Sequence, residues 1–175
     1  MKPVFFTIGH STHPLDEFLQ LLRSHGVDAV ADVRLIPKSK RFPHFSIDAL
    51  PGALAGASVA YRHFPQLGGH RRPRADSPNR AWHNESFRGY ADYMQTAAFE
   101  GALGELVEWG KPPRVPAIMC AEAVWWRCHR QLIADVLTAR GIEVRHVTSL
   151  AAPGAHRLTE FARVTGKRVE YPALL

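Results

Sequence analysis

Short apolar segments alternate with amphipathic ones along this chain, and this alternation most restricts how the chain can fold. Five apolar segments predict strands, at residues 4–8, 29–33, 58–63, 115–119 and 142–147. Between and after them, apolar residues recur at helical spacing, at residues 15–26, 46–54, 87–94, 97–109 and 128–140. Strands that alternate with helices form parallel sheets covered on both faces. We therefore predict a single α/β domain over residues 1–175, with a mostly parallel central sheet of about five strands and helices on both faces.

The last part of the chain is harder to assign. We expect one helical turn around residues 158–163 and an extended segment just before the final residues. Residues 70–85 form a long polar stretch that is too long for a plain connection, so we interpret it as a binding or covering loop.

Composition limits the class of protein. Hydrophobic residues make up 46% of the 175 residues and charged residues 22%, which is typical of a globular protein in water. No apolar run approaches the roughly 18–20 residues of a membrane span, so we expect no membrane partner. The first residues lack the apolar stretch of a signal peptide, and there are only two cysteines. These features favour a reducing, cytoplasmic location.

The basic residues are concentrated in one region. Residues 34–88 contain ten Lys and Arg against three Asp and Glu, whereas the rest of the chain contains twelve against thirteen. A local excess of positive charge favours polyanions or phosphorylated ligands as partners, nucleic acid among them. A solvated basic surface is the alternative interpretation.

The strand-to-helix junction at residues 117–130 contains the densest group of reactive side chains. The predicted strand ends at Cys120 and Glu122, and the next helix begins near Cys128. His129 follows, and the guanidiniums of this junction are Arg127 and Arg130. Ligands of open α/β sheets bind at the carboxyl ends of the strands, which is where this junction lies. We therefore predict a site here.

The junction is compatible with several chemistries. A thiol at a helix N-terminus, next to Arg and His, has a lowered pKa and can act as a nucleophile, which suits Cys128. The same helix N-terminus, with Arg127 and Arg130, could instead bind phosphate. Glu122 could serve as a general acid or base, or pair with one of these arginines or with Arg34. Both cysteines could also simply fill the core, since free Cys is among the most buried residues.

A zinc site would use Cys120, Cys128 and a distant histidine, but their eight-residue spacing fits no common zinc pattern. We predict no metal site and leave any cofactor open. The phosphate-binding loop of nucleotide hydrolases, Gly-x4-Gly-Lys, is also missing from the junction.

Polar residues follow the other predicted strands as well. If all five strands are parallel, their ends bring together side chains that are distant in the sequence: His10, Ser11, Asp32, Arg34, His63, Cys120, Glu122 and His146. Gly68 and Gly69 would let the backbone approach a ligand closely. Together with Ser39, which lies in the basic loop after the second strand, these residues form the predicted ligand-binding edge.

Four motifs occur in a specific order along the chain. They are Thr7-Ile-Gly-His-Ser11; Asp32-Val-Arg34 with Pro37 and Ser39; Tyr61-x-His63 with Leu67-Gly-Gly69; and Cys120-x-Glu122 with Cys128-His-Arg130. This arrangement resembles the DUF488 family of uncharacterised, mainly prokaryotic proteins. The resemblance covers about residues 7–148, which would form the core, and leaves residues 149–175 as an extension. It implies that the motif residues form one site, and some members carry a "DNA repair" label without a mechanism.

We predict, first, an enzyme that acts on a phosphate-bearing ligand such as a nucleotide or nucleic acid. Its catalytic residues would be Cys120, Glu122, Cys128 and His129. Its ligand-binding residues would be His10, Ser11, Asp32, Arg34, Ser39, His63, Gly68, Gly69, Arg127 and Arg130. The alternatives are a non-catalytic nucleic-acid-binding protein that uses residues 34–88, and a thiol redox or metal-binding protein that uses the two cysteines.

Overall fold

A mostly parallel sheet of six strands forms the centre of the protein, whose computed structural model describes residues 1–174. Its strands are β1 (Val4–Gly9), β2 (Ala29–Asp32), β3 (Ala60–His63), β4 (Pro116–Cys120), β5 (Glu143–Val147) and β6 (Gly154–Ala155). They lie in the order β3-β2-β4-β1-β5-β6. The first five strands are parallel to their neighbours, and β6 pairs antiparallel with β5. The predicted α/β fold class is confirmed, and β6 is the strand that the sequence pattern did not indicate.

Five α-helices surround this sheet. They are α1 (Leu15–Ser24), α2 (Leu50–Gly56), α3 (Glu85–Tyr93), α4 (Ala97–Trp109) and α5 (Arg130–Ala139). Short 3₁₀ helices occupy Pro43–Phe45, Pro65–Leu67 and Trp125–Arg127. The side chains of Asn84 and Thr96 accept the amide hydrogens of Phe87 and Phe99, which fixes where α3 and α4 begin. Among the described helices, none combines the length and the apolar composition that a membrane crossing requires.

The two faces of the sheet carry separate cores. Neighbouring residues of a strand point to opposite faces, so Phe5 and Phe6 of β1 belong to different cores. Phe6 faces α1 and α2 and shares its core with Phe18 and Leu54. Phe5 faces α3, α4 and α5, where Leu132 is also completely buried. Each such side chain stabilises the fold by roughly 1.5–3 kcal/mol, which explains why helices cover both faces.

Residues 163–170 form a hairpin of β7 (Arg163–Thr165) and β8 (Arg168–Glu170), and residues 158–163, where a helical turn was predicted, contain no helix. Gly166 has a φ of +61°, the left-handed conformation that tight hairpin turns require. The predicted final extended segment coincides with β8. Val169 and Tyr171 are buried in the core on the α5 side of the sheet, and β8 packs against α5.

Residues 70–84 contain no helix or strand, but a buried carboxylate attaches them to α3. Asp92 accepts hydrogen bonds from the backbone of Arg74 at 2.8 Å, from Ser77 Oγ at 2.6 Å and from Asn79 Nδ2 at 2.7 Å. Asn79 Oδ1 in turn accepts the amide hydrogen of Tyr171 at 2.9 Å. The segment is therefore fixed both to α3 and to the C-terminal hairpin.

Replacing Asp92 with Ala is expected to lower the free energy of unfolding by about 2–4 kcal/mol, because three donors, two of them on buried side chains, lose their acceptor. Urea unfolding followed by circular dichroism measures this loss. The matched control is Asp76→Ala, which breaks the exposed Asp76–Arg74 salt bridge and should leave stability unchanged. Equal stability of the wild type and Asp92→Ala would show that the attachment contributes nothing.

Candidate functional site

A cavity of about 780 Å³ lies at the carboxyl ends of β1, β2 and β4. Its walls come from the segments that follow these strands and from the start of α3. Ten of the predicted site residues line it: His10, Ser11, Arg34, Ser39, Gly69, Cys120, Glu122, Arg127, Cys128 and His129. The other four, Asp32, His63, Gly68 and Arg130, lie behind this wall. The parallel strands thus bring the predicted residues to one edge of the sheet.

The two cysteines are in direct contact. Cys120 ends β4, Cys128 follows the 3₁₀ helix before α5, and their Sγ atoms lie 2.7 Å apart. Both side chains are buried, with 3% and 6% of their surface exposed, yet both border the cavity. The backbone N–H of Arg130 points at Cys128 Sγ from 3.5 Å. The thiols are therefore reachable from the cavity although protein surrounds them.

His129 is positioned to accept a proton from Cys128. Its Nε2 lies 3.0 Å from the carbonyl oxygen of Val33, and its Nδ1 lies 3.5 Å from Cys128 Sγ. A carbonyl can only accept, so Nε2 carries the hydrogen, and Nδ1 of the neutral ring presents a lone pair to the thiol. This arrangement is a cysteine–histidine pair whose imidazole is oriented by the backbone of the segment after β2.

The environment makes the two thiols unequal. Burial acts to raise the pKa of Cys128, but hydrogen bonds from Cys120 and His129 and the charges of His129 and Arg130 outweigh it and hold that pKa well below the usual value. Burial, together with the neighbouring Cys128, raises the pKa of Cys120 well above the usual value. Cys128 is therefore the thiol of the pair that ionises more readily, with His129 beside it to take up its proton, and the S–H of Cys120 can then donate to the thiolate.

Arg130 lies directly behind the thiols and is 1% exposed. Its guanidinium donates to the hydroxyl of Thr7 in β1 at 3.4 Å and to the backbone carbonyl of Glu122. It therefore joins β1, the segment after β4 and α5 at one point beneath the cavity.

Glu122 contributes its backbone rather than its carboxylate to this arrangement. Its carbonyl accepts from Arg130 and lies 3.8 Å from Cys120 Sγ, whereas its exposed carboxylate accepts the amide hydrogen of Val124 at 3.3 Å. Gly9 is required opposite this carbonyl, because a Cβ there would lie 1.9 Å from the oxygen. The carboxylate faces the cavity without a salt bridge to any of the described residues.

Asp32 and Arg34 form a closed ion pair beside the cavity. Asp32 Oδ1 accepts from Arg34 Nε at 2.9 Å, and Oδ2 accepts from an Arg34 terminal nitrogen at 2.7 Å and from Tyr61 at 2.6 Å. Burial and the bond to Asp32 raise the pKa of the Tyr61 hydroxyl. The positive charge of Arg34 is therefore already balanced by Asp32 where Arg34 borders the cavity.

His10 is held neutral by the same group. Its Nδ1 donates to the carbonyl of Ser11 at 3.0 Å, and its Nε2 accepts from Arg34 at 3.2 Å. Burial lowers the pKa of His10 to about 4, and its ring stacks on Phe45. Both nitrogens are occupied, so His10 shapes the cavity and carries no proton near neutral pH.

The remaining predicted residues support the walls. His63 Nε2 donates to the carbonyl of Arg34 at 2.7 Å. Gly68 is buried against Leu35, where a Cβ would lie 2.8 Å from the backbone. Gly69 packs against the imidazole of His129, since a Cβ there would lie 3.2 Å from Nδ1. The glycines thus make room for the protein itself, and Gly69 makes room for the base.

A buried chain of hydrogen bonds continues from Arg130 away from the cavity. Thr7 Oγ1 lies 2.7 Å from His146 Nδ1, His146 Nε2 lies 2.9 Å from His156 Nδ1, and His156 Nε2 lies 2.8 Å from Asp135. Burial, and then the nearby His156 and Arg130, lower the pKa of His146 to about 3. His146 thus belongs to this chain and not to the cavity where the strand pattern placed it.

Sequence analysis missed several cavity residues. Lys38 and His70 add basic groups to the rim, and Leu35, Ile36 and Phe42 add apolar surface beside them. A second set comes from the start of α3: Asn84, Ser86, Phe87 and Tyr90. The sequence did carry a signal for Lys38, namely its position in the basic loop after the second predicted strand. It carried none for Tyr90, because a buried Tyr has the pattern of an ordinary core residue in an amphipathic helix.

Part of the positive charge of residues 34–88 is neutralised within the protein. Four of its ten basic residues are in salt bridges: Arg34 with Asp32, Arg62 with Glu105, Arg74 with Asp76, and Arg88 with Glu85. Of the three arginines predicted to bind phosphate, Arg127 is exposed at the cavity, while Arg34 is paired and Arg130 is buried.

Residues 1–174 contain no group of three or more His, Cys, Asp or Glu side chains arranged to hold a metal ion. Cys120 and Cys128, which a zinc site would have used, are in contact, and the other ring nitrogen of the imidazole beside them faces a backbone carbonyl. The two thiols therefore contact each other and border the cavity.

Comparison with protein-family models matches residues 14–137 to the family described as "Domain of unknown function DUF488". This range covers more than half of the chain and includes both cysteines. Comparisons with curated proteins and with solved structures give no match.

We expect Cys128 to be alkylated by iodoacetamide at a pH where Cys120 is not, because its pKa is the lowered one. An ordinary thiol titrates near about 8.5. Replacing His129 with Gln should raise the apparent pKa of Cys128, since the imidazole contact is lost. Peptide mass spectrometry across a pH series measures both sites.

His70→Gln is the matched control, because His70 also lines the cavity and has no contact with either sulfur among those described. It should leave the titration of Cys128 unchanged. Equal titration of the two thiols, or an equal effect of both histidine variants, would contradict the assignment of His129 as the base.

Proposed function

Because the chain belongs to the DUF488 family, whose description names no reaction, we propose its function from the site itself: a thiol-dependent enzyme that carries out thiol–disulfide exchange. In this proposal Cys128 is the nucleophile, His129 its base and Cys120 the second thiol. The cavity would bind the substrate that carries the reacting sulfur.

The observation that carries the proposal is the contact between Cys120 and Cys128. The two Sγ atoms are 2.7 Å apart, so little motion separates the dithiol from a disulfide. A nucleophilic cysteine that works alone needs a base and no second thiol. A lowered pKa on one thiol and a raised pKa on its neighbour suit a pair in which one attacks and the other resolves.

The exchange needs only the dithiol of the protein and a disulfide substrate. His129 takes the proton of Cys128, and the thiolate attacks one sulfur of a disulfide substrate, whose second sulfur leaves and receives that proton. Cys120 then attacks Cys128 Sγ in the mixed disulfide. The first substrate sulfur leaves with the proton of Cys120, and the protein holds a Cys120–Cys128 disulfide. Two electrons pass from the protein to the substrate, and the exchange is reversible.

The cavity favours an anionic substrate. Arg127 and Lys38 are exposed at its rim and His70 lies beside them, against one carboxylate, Glu122. Leu35 and Ile36 add exposed apolar surface. A compound with a carboxylate or phosphate near an apolar portion matches this lining.

Incubation with oxidised glutathione tests the function directly. Cys120→Ser should accumulate a stable mixed disulfide at Cys128, because no second thiol resolves it. Cys128→Ser should form none, since Cys120 is the thiol with the raised pKa, and the wild type should end as the internal disulfide. Intact-protein and peptide mass spectrometry separate these products. A mixed disulfide that forms at either cysteine with equal ease would contradict the roles.

The basic rim supports a second candidate, in which the same thiolate acts on a phosphate-bearing ligand such as a nucleotide or nucleic acid. Arg127 would bind the phosphate, and Cys120 would be dispensable. Turnover of a phosphorylated compound by Cys120→Ser, but not by Cys128→Ser, would favour this candidate.

If the basic residues bind nucleic acid without catalysis, the affinity for nucleic acid should fall steeply as the salt concentration rises. It should also respond to charge reversal at Arg72 rather than to substitution of either cysteine.

A further inference from the structure

The guanidinium of Arg130 is buried without a carboxylate partner. Its side chain is 1% exposed, and among the described residues it forms no salt bridge with Asp or Glu. Its hydrogen-bond acceptors, the hydroxyl of Thr7 and the carbonyl of Glu122, are both neutral, and its Nε has none. A buried cation requires a counter-charge, and these contacts supply none.

The buried carboxylates of the site are engaged elsewhere. Asp32 is paired with Arg34 and accepts the hydroxyl of Tyr61. Asp135 accepts hydrogen bonds from His156, from the backbone of Thr159 and from Tyr171. Thr7, His146 and His156 lie between Asp135 and Arg130 in the hydrogen-bonded chain.

The remaining counter-charge is the thiolate of Cys128. Its sulfur accepts the backbone N–H of Arg130 and thus lies where α5 begins, at the positive end of that helix. Burial lowers the pKa of Arg130, but the charges of Cys120 and Cys128 outweigh it, so that the pKa ends above its usual value. The reduced pair, as one thiolate and one thiol, therefore neutralises a cation inside the protein.

Oxidation would remove this negative charge, because a disulfide is neutral. Arg130 would then remain buried and unpaired, which is the unfavourable state for an ion inside a protein. A disulfide whose reduced form is stabilised is a strong oxidant, as in thiol oxidases with a low-pKa cysteine.

We infer that the buried, carboxylate-free Arg130 makes Cys120–Cys128 an oxidising couple, so that the substrates of the enzyme are thiols, which it converts to disulfides. This inference rests on the proposed function and gives the exchange its direction. One substrate thiol loses its proton, its thiolate attacks Cys128 Sγ, the Cys120–Cys128 bond breaks, and Cys120 takes up that proton. A second substrate thiol loses its proton to solvent, its thiolate attacks the substrate sulfur of the mixed disulfide, and Cys128 leaves as the thiolate beside Arg130. Two electrons pass from the substrate thiols to the protein.

The test is equilibration of the full-length protein with mixtures of reduced and oxidised glutathione, with the disulfide fraction read by mass spectrometry after acid quenching. Arg130→Met removes the cation, and we expect it to shift the equilibrium at least tenfold toward the disulfide, a potential about 30 mV lower. Arg140→Met is the matched control. Arg140 lies at the other end of α5 and pairs with Glu100, so its loss should leave the equilibrium unchanged.

A second measurement decides the question if Arg130→Met does not fold. We expect the wild-type disulfide form to unfold at a lower urea concentration than the wild-type dithiol form, because only the dithiol form supplies the counter-charge. An oxidised form as stable as the reduced form, or an Arg130→Met equilibrium equal to that of the wild type, would overturn the oxidising assignment alone. If none of the glutathione mixtures forms the Cys120–Cys128 disulfide, both the oxidising assignment and the proposed function are overturned.

Discussion

The arrangement of the site depends on one buried cation, Arg130. Its guanidinium bonds to Thr7 in β1 and to the carbonyl of Glu122 after β4, while its backbone N–H faces Cys128 at the start of α5. Three elements that are distant in the sequence therefore meet at one charged group. Because a charge in the interior is far more costly to leave unpaired than at the surface, its neighbours are constrained both in position and in ionisation.

Backbone carbonyls give two similar histidines different roles. The carbonyl of Ser11 binds His10 Nδ1, and Arg34 occupies the other nitrogen, so this ring is neutral and fully engaged. The carbonyl of Val33 binds His129 Nε2 instead, which leaves Nδ1 facing Cys128. The carbonyl in each case selects the tautomer, and the second contact decides whether the ring can accept a proton.

Much of the fold and part of the site follow from local patterns. The alternation of apolar and amphipathic segments predicted the parallel strands and the helices on both faces, because each pattern reflects the period of one element. The position of residues after the strands predicted that His10, Arg34 and Cys120 would meet at one edge. The strand at Arg163–Thr165 and its pairing with β8 were missed, because these short strands carry no clear alternation and depend on the turn at Gly166.

The sequence by itself determined the α/β architecture and the edge of the sheet at which its reactive residues collect, because hydrophobic periodicity and strand ends are encoded within a few consecutive residues. Only the tertiary structure decided that Cys120 and Cys128 are in contact, that Arg34 forms an ion pair with Asp32, and that Arg130 is buried without a carboxylate partner. These facts depend on how separate elements pack and on which partner each side chain reaches first. Burial and these contacts together set the pKa values of the side chains, and therefore their charges, which no local sequence pattern specifies.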